Sequence, residues 1–274
     1  MRYTLKEILD LAESKEFAVP AFCVYNLETL MGCVNAAKEL NAPIIIQMYS
    51  RLFNTDTGKM LAPVICDIMD SSKIPVAFHL DHGAGIPECI RAIRLGTTGV
   101  MIDASTLDLD GNIQATADAV ALAKTVGVSV EGELGHIGSA KEEIGTAYTE
   151  VADAVRYVNE TEVDALAIMV GTAHGKYAKA PVLAIDRISE IHKATGAHLV
   201  LHGGSGVPDD QICDAIRAGI RKINFGTDIC YAFVDGFRAI DPLATPLDIS
   251  MAKISENVKA FAIEKIKLLG ADRG

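Results

Sequence analysis

The chain repeats one pattern along its whole length, in which a short run of apolar residues is followed by a longer segment with helical periodicity. Runs that are apolar on both faces are typical of parallel strands covered by helices, whereas strands with one wet face alternate apolar and polar residues. Eight such runs, rich in Val and Ile, occupy residues 18–24, 43–48, 75–80, 99–104, 128–134, 165–171, 198–204 and 222–227.

Eight alternating strand and helix units predict an α/β fold, a closed (β/α)8 TIM barrel, and the alternative is a doubly wound open sheet. No low-complexity or proline-rich linker interrupts the pattern, so we predict one domain over residues 1–274. Helical periodicity at 4–16 and 254–270 predicts an extra N-terminal helix and a C-terminal helical extension. Half of the residues are hydrophobic, which is enough for a large core.

The charge balance excludes two classes of partner. A formal net charge of −11 and a pI near 5.1 argue against binding to nucleic acid or to an anionic membrane, because both require a basic face. Charged residues are spread over the first 20 positions, and no segment approaches the roughly 20 apolar residues of a membrane span. We therefore expect a cytoplasmic protein.

Polar residues that carry chemistry cluster at the ends of the predicted strands. Because the carboxyl ends of parallel barrel strands meet at one mouth, these side chains should converge in space. Four of the seven histidines lie at or just after a strand end, together with several carboxylates. The histidines are His79, His82, His174 and His202, and the carboxylates are Asp81, Asp103, Glu131 and Glu133.

Three histidines with nearby carboxylates favour a divalent ion, most often zinc, that acts as a Lewis acid on a carbonyl group. Side chains alternate along a strand, so His79 and Asp81 share one face and His82 takes the other, unless the strand has already ended. On this basis we interpret His79 as a supporting residue and not as a ligand.

Two glycine-rich segments, residues 202–206 and 224–228, follow the seventh and eighth runs. Both precede a predicted helix, and backbone N–H groups at that place commonly bind phosphate in this fold. The sequence therefore predicts a phosphate site on this side of the mouth.

Taken together, the motifs HLDHG, VMIDAS, VEGELG, GTAHGKY, LVLHGGSGVP and KINFGTD occur in an order and spacing that resembles the class II, metal-dependent ketose-bisphosphate aldolases. That family includes the fructose-bisphosphate and tagatose-bisphosphate aldolases. The resemblance implies a TIM-barrel lyase that assembles as a homodimer or homotetramer. It also implies reversible cleavage of a ketose 1-phosphate or bisphosphate to dihydroxyacetone phosphate and an aldehyde through a zinc-stabilised enediolate.

The resemblance also implies roles for individual residues. His82, His174 and His202 would hold the catalytic zinc, and Asp81 would exchange a proton with the oxygen on C4. Asp103 and Glu133 would bind a second divalent or monovalent cation, or would hold the metal at an alternative position. Dihydroxyacetone phosphate would contact Gly175, Gly203, Gly204, Ser205, Asn224, Phe225, Gly226 and Thr227.

Three positions depart from the family pattern. Tyr49 stands where many relatives have a phosphate-binding serine. In the loop GSAKEE, Glu142 is the candidate for the acid that transfers the proton at C3, with Glu143 second. No arginine lies between Arg238 and Arg273, where relatives commonly have one for a distal phosphate.

The missing arginine predicts that fructose 1,6-bisphosphate is a poor substrate, although Arg51 is available as another cation. Two alternative functions stay open. One is a catalytically weak barrel subunit of a sugar-phosphate-degrading complex. The other is a metal-dependent sugar-phosphate epimerase, because the same residues would also serve proton abstraction next to a carbonyl.

Overall fold

Eight parallel strands form a closed barrel in which each strand pairs with the next and the eighth pairs with the first. The computed structural model describes residues 1–138, 148–241 and 244–274. The predicted TIM barrel is confirmed. The strands are β1 Val19–Cys23, β2 Ile44–Tyr49, β3 Val76–Gly83, β4 Gly99–Ile102, β5 Ser129–Leu134, β6 Ala165–Ile168, β7 His198–Leu201 and β8 Ile220–Phe225.

Helices surround the barrel, and in the described ranges none is long and apolar enough to cross a membrane. They are α1 Leu5–Lys15, α2 Leu27–Leu40, α3 Ser50–Phe53, α4 Asp56–Ser71, α5 Ile86–Arg94, α6 Leu109–Lys124, α7 Val151–Thr161, α8 Ile185–Thr195, α9 Asp209–Ala218, α10 Thr227–Arg238 and α11 Leu247–Leu268, followed by a 3₁₀ turn at Ala271–Arg273.

Helix α1 closes the amino-terminal end of the barrel. It begins with a capping box in which Thr4 and Glu7 satisfy each other's backbone N–H groups. Its Asp10 carboxylate lies 2.8 Å from His198 Nε2, at the start of β7, and Glu13 forms a 2.8 Å ion pair with Arg221 of β8. With this end covered, the opposite end is the one that opens to solvent.

Strand β3 ends in a bulge. His79 and Leu80 pair with Gly99 and Val100 of β4, but the next pair joins Gly83 to Ile102, so an extra residue is accommodated in between. Within the bulge His82 takes φ = +51°, a left-handed conformation that is uncommon outside glycine. Simple alternation along the strand therefore stops before His82, and its side chain turns into the barrel mouth beside Asp81.

Candidate active site

The open end of the barrel contains a cavity of about 530 Å³, large enough for a sugar phosphate. The structure brings most of the predicted site residues to its wall. Those that line it are Asp81, His82, Asp103, His174, Gly175, Gly203, Ser205, Asn224, Gly226 and Thr227.

Three histidines form a compact cluster at the base of this cavity. The His82 ring centre lies 4.8 Å from that of His174 and 4.9 Å from that of His202, and His174 and His202 are 5.6 Å apart. One nitrogen from each ring lies within 4.8 Å of the other two. They come from β3, from the loop after β6 and from the end of β7, so only the closed barrel assembles them.

The hydrogen bonds of these rings leave nitrogens that suit a metal ion. Asp103 Oδ2 lies 2.8 Å from His82 Nδ1, and Glu131 Oε1 lies 2.8 Å from His202 Nε2. Among the described residues, the buried atoms His82 Nε2 and His174 Nε2 have no hydrogen-bond partner, and the buried His202 Nδ1 lies 3.3 Å from Glu133 Oε2. Carboxylates on the far side of metal-binding histidines are typical of zinc sites, so the donor set suits zinc.

The surroundings separate the pKa values of these histidines. Burial alone would lower the pKa of His202, but hydrogen bonding to Glu131 and Glu133 raises it to about 9. Burial together with the charges of His202 and His82 lowers the pKa of His174 to about 4. At neutral pH His174 is therefore ready to act as a ligand, whereas His202 must first lose a proton.

Asp103 and Glu133 form a second group of donor atoms with His82, all within 4.8 Å of one another. Asp103 also accepts a hydrogen bond from Ser105 Oγ at 2.8 Å. Burial alone would raise the pKa of Asp103, but the contact with His82 holds it well below its ordinary value. Asp103 thus orients His82 directly, and its role at a second cation position stays a prediction.

Asp81 lies beside the cluster, with its Oδ1 at 3.9 Å from His82 Nε2. Asn224 donates to Oδ1 at 3.4 Å, and the Cys23 thiol lies 3.7 Å from Oδ2. Burial alone would raise the pKa of Asp81, but the positive charges of His82 and His202 lower it. Asp81 is therefore a carboxylate at neutral pH and is free to accept a proton.

A layer of buried charge below the cluster was not predicted from the sequence. Glu131 Oε2 lies 2.8 Å from Lys222 Nζ and 3.2 Å from His79 Nε2, and all of these side chains are fully buried. Burial alone would raise the pKa of Glu131, but the Lys222 charge holds it well below its ordinary value. The layer fixes the carboxylate that orients His202, and His79 lies in this layer and not at the cavity wall.

The side of the cavity at which phosphate is predicted to bind is built mainly from backbone. Gly203 has φ = +65°, and a Cβ there would lie 2.3 Å from the carbonyl oxygen of Ala173. The hydroxyl of Tyr177 accepts from Ala173 N at 2.8 Å and lies 2.9 Å from Gly203 O, which ties the loops after β6 and β7 together. The motif GTAHGKY includes Tyr177, but the sequence did not reveal its role because that role depends on a contact between two loops.

Helix α10 begins at the same wall. Its N-cap residue, Gly226, has no side chain, and Ser205 Oγ from the loop after β7 accepts a hydrogen bond from Asp228 N at 3.2 Å. The N–H groups of a first helical turn attract anions, and phosphate binding at this segment stays a prediction.

Two predicted residues do not reach the cavity with a side chain, and a third lies outside the described residues. The Phe225 ring does not face the cavity, because it packs in the core against Phe22 and Phe261 at ring-centre distances of 6.1 and 6.2 Å. Its predicted contact with substrate is therefore restricted to its backbone. Gly204 is packed against Ile223 behind the cavity wall. Glu142, like Glu143, lies outside the described residues.

A closed α/β barrel that gathers histidines and carboxylates at the carboxyl ends of its strands has the architecture of the metal-assisted barrel enzymes. The family model for "Fructose-bisphosphate aldolase class-II" matches residues 3–273. The chain belongs to this family and is a class II aldolase, a carbon–carbon lyase.

Curated relatives carry several substrate names. The chain is 34% identical over 275 residues to "Sulfofructosephosphate aldolase" of Alkalicoccus urumqiensis, covering 97% of this chain and 96% of the relative. It is 38% identical over 242 residues to "6-phospho-5-dehydro-2-deoxy-D-gluconate aldolase" of Halalkalibacterium halodurans, covering 86% and 84%. The structure of the YdjI aldolase from Escherichia coli K12 superimposes with a TM-score of 0.91 at 32% identity, covering 99% and 98%.

Proposed function

We propose that the protein reversibly cleaves a ketose 1-phosphate into dihydroxyacetone phosphate and an aldehyde, with zinc held by His82, His174 and His202. The observation that carries the proposal is the group of three histidines, each with one ring nitrogen within 4.8 Å of the other two, that the described residues bring together beside Asp81. The names of the relatives support a sugar-phosphate substrate other than fructose 1,6-bisphosphate.

When bound, zinc supplies Lewis-acid stabilisation of the negative charge that develops on the ketone oxygen during cleavage. The protein side chains perform the remaining steps. Asp103 and Glu131 hold the His82 and His202 rings in the orientation that leaves one nitrogen of each toward the cavity. Asp103 and Glu133 would also hold the second or alternative cation that the family resemblance implies.

Asp81 accepts the proton of the C4 hydroxyl as the C3–C4 bond breaks, and it returns this proton in the condensation direction. Asn224 and Cys23 contact separate oxygens of its carboxylate and so fix its orientation. Glu142 is proposed to transfer the proton at C3.

The substrate phosphate is proposed to bind at the wall formed by Gly175, Gly203, Ser205 and the segment 226–227. Free backbone N–H groups at the start of α10 and the Ser205 hydroxyl favour a phosphate there. This placement directs the aldehyde half of the substrate toward Tyr49 and Asp103 on the opposite wall.

The test is retro-aldol turnover of a panel of ketose 1-phosphates, followed by the release of dihydroxyacetone phosphate. Treatment with EDTA should abolish turnover, and added Zn²⁺ should restore it. Full turnover by the metal-free protein would contradict the proposal. Zinc binding without turnover on any ketose phosphate would favour a non-catalytic barrel subunit, and interconversion of epimers without cleavage would favour an epimerase.

The proposal retains the cytoplasmic location expected from the sequence and the homodimeric or homotetrameric assembly implied by the family resemblance. Light scattering during size-exclusion chromatography measures the assembly, and a monomeric mass would contradict that part of the proposal.

A further inference from the structure

One permanent positive charge stands at the wall of the cavity opposite the phosphate side. We propose that Arg51, supported by the ring of Tyr49, binds a singly charged acid group, such as a carboxylate, on the aldehyde half of the substrate. This inference rests on the proposed function and specifies its substrate class.

The position of Arg51 follows from the end of β2. Tyr49 is the last residue of β2, and Arg51 lies in the short helix α3 directly after it. The guanidinium carbon lies 4.9 Å from the centre of the Tyr49 ring, and that ring lies 5.5 Å from the ring of His82. Both side chains line the cavity, so a path leads from the metal cluster along Tyr49 to the guanidinium.

Among the described residues, Arg51 contacts the ring of Tyr49 and has no anionic partner. In the described ranges, no carboxylate lies within 4.0 Å of its guanidinium, and it makes no hydrogen bond to the protein. By contrast, Arg156 and Arg187 each form two ion pairs with surface carboxylates. An unpaired guanidinium on the wall of a substrate cavity, in a chain with a net charge of −11, is available to an anionic ligand.

The chemistry of this wall favours one negative charge over two. The planar guanidinium matches the two oxygens of a carboxylate in a bidentate pair. Asp81 and Asp103 line the same cavity and repel any charge that Arg51 does not neutralise. The only other basic group that the described residues add to this wall is His136, whose Nδ1 lies 3.0 Å from Ser105 Oγ. A phosphate dianion is therefore matched less well here than on the backbone-lined side.

The experiment measures condensation of dihydroxyacetone phosphate with matched aldehydes by the zinc-loaded protein. Succinic semialdehyde carries a carboxylate, and 4-oxobutanamide has the same length without the charge. We expect kcat/KM to be about 10- to 100-fold higher for the carboxylate, the range for a hydrogen bond to a charged group. The ratio of kcat/KM for D-glyceraldehyde 3-phosphate to that for D-glyceraldehyde should be smaller than the ratio for succinic semialdehyde to 4-oxobutanamide.

Variants assign the preference to the side chain. Arg51→Met keeps the length of the side chain and removes the charge, so it should lower kcat/KM for succinic semialdehyde about 10- to 100-fold and leave 4-oxobutanamide within about twofold. Arg91→Met, an exposed position on α5 outside the cavity, is the matched control and should change neither value. Unchanged circular dichroism of both variants checks that they fold.

The outcomes separate this inference from the proposed function. No condensation with any aldehyde by the zinc-loaded protein would overturn the proposed function itself. Condensation without a preference for the carboxylate, a larger gain from phosphate, or equal losses on charged and neutral aldehydes in Arg51→Met would overturn the Arg51 assignment alone.

Discussion

The two walls of the active-site cavity are built from different parts of the chain. The phosphate wall consists of backbone at Gly203 and Gly226 and of the start of helix α10, so its shape is a property of the barrel. The opposite wall consists of the side chains of Tyr49, Arg51 and His136, so its shape depends on which residue stands at each of these positions. We therefore expect side-chain changes on the second wall to alter the aldehyde that is accepted and to leave the proposed phosphate site unchanged.

The largest expected effect comes from the residue between the two walls. Asp81→Ala should lower kcat by about 10²- to 10⁴-fold, the contribution of a general acid–base residue, because nothing else described in the cavity accepts the C4 proton at that position. Steady-state turnover of a ketose 1-phosphate measures this loss. The zinc content by atomic absorption should be unchanged, because Asp81 is not one of the three ligands. A variant that keeps wild-type turnover would show that the proton acceptor lies elsewhere.

The backbone character of the phosphate wall can be tested at Gly203. A Cβ at this position meets the Ala173 carbonyl oxygen at 2.3 Å, so Gly203→Ala should displace the loop and raise the KM for the ketose phosphate by about 100-fold. The free energy of unfolding should also fall, by more than the roughly 1–2 kcal/mol that left-handed strain alone costs. Steady-state kinetics and urea denaturation measure these changes.

Gly196→Ala is the matched control for that variant. Gly196 has φ = +63°, almost equal to the +65° of Gly203, but nothing lies within 4 Å of a Cβ built there. It should therefore show the strain cost in unfolding and no change in KM. Equal KM values for the two variants would contradict a role for the packed backbone in phosphate binding.

The opposite wall should make the protein inefficient on a second phosphate. We expect kcat/KM for fructose 1,6-bisphosphate to be about 10- to 100-fold lower than for fructose 1-phosphate, because Asp81 and Asp103 repel charge that Arg51 leaves unneutralised. Parallel steady-state assays on the two sugars decide the matter. Higher efficiency on the bisphosphate would show that this wall accommodates a dianion.

The smallest expected effect concerns the metal ligands, because the surroundings of the histidines differ from one another. His202 is held by carboxylates and has a pKa raised to about 9, whereas His174 lacks them and has a pKa lowered to about 4. Zinc must therefore displace a proton from His202 at pH 7–8, and its affinity should rise about tenfold from pH 7 to pH 8. Competition with a chelator measures this slope.

The sign of the accompanying stability change is fixed by the same pKa. Because the pKa of His202 is higher in the folded than in the unfolded chain, its protonation stabilises the metal-free fold. This contribution is complete below about pH 6.5 and is lost as the pH rises through about 9. A zinc affinity that does not change from pH 7 to pH 8 would contradict the raised pKa of His202.

The fold was predictable because its signal is repeated. Eight apolar runs each predicted a strand, and errors at the ends, such as β8 beginning at Ile220 and not at residue 222, did not change the topology. The spacing of apolar residues indicates which residues of a strand or helix are buried. Every strand and helix unit of the barrel is buried in a similar way, so the same pattern recurs along the chain.

The site was predictable in its members and less so in its geometry. Alternation along β3 placed His82 on the opposite face from Asp81, and the bulge with φ = +51° at His82 overrides that rule. The pairing of Glu131 with Lys222 joins β5 to β8 across the barrel, and no local pattern reports such a contact. Phe225 was assigned with its motif, but its side chain faces the core.

The most direct test is a crystal structure of the zinc-loaded protein with dihydroxyacetone phosphate, in which anomalous scattering at the zinc edge locates the metal. We predict one peak about 2.0–2.1 Å from His82 Nε2, His174 Nε2 and His202 Nδ1, with the phosphate at Gly203 and the start of α10 and with Arg51 uncontacted. Zinc bound away from these three nitrogens, or the phosphate bound at Arg51, would contradict this account.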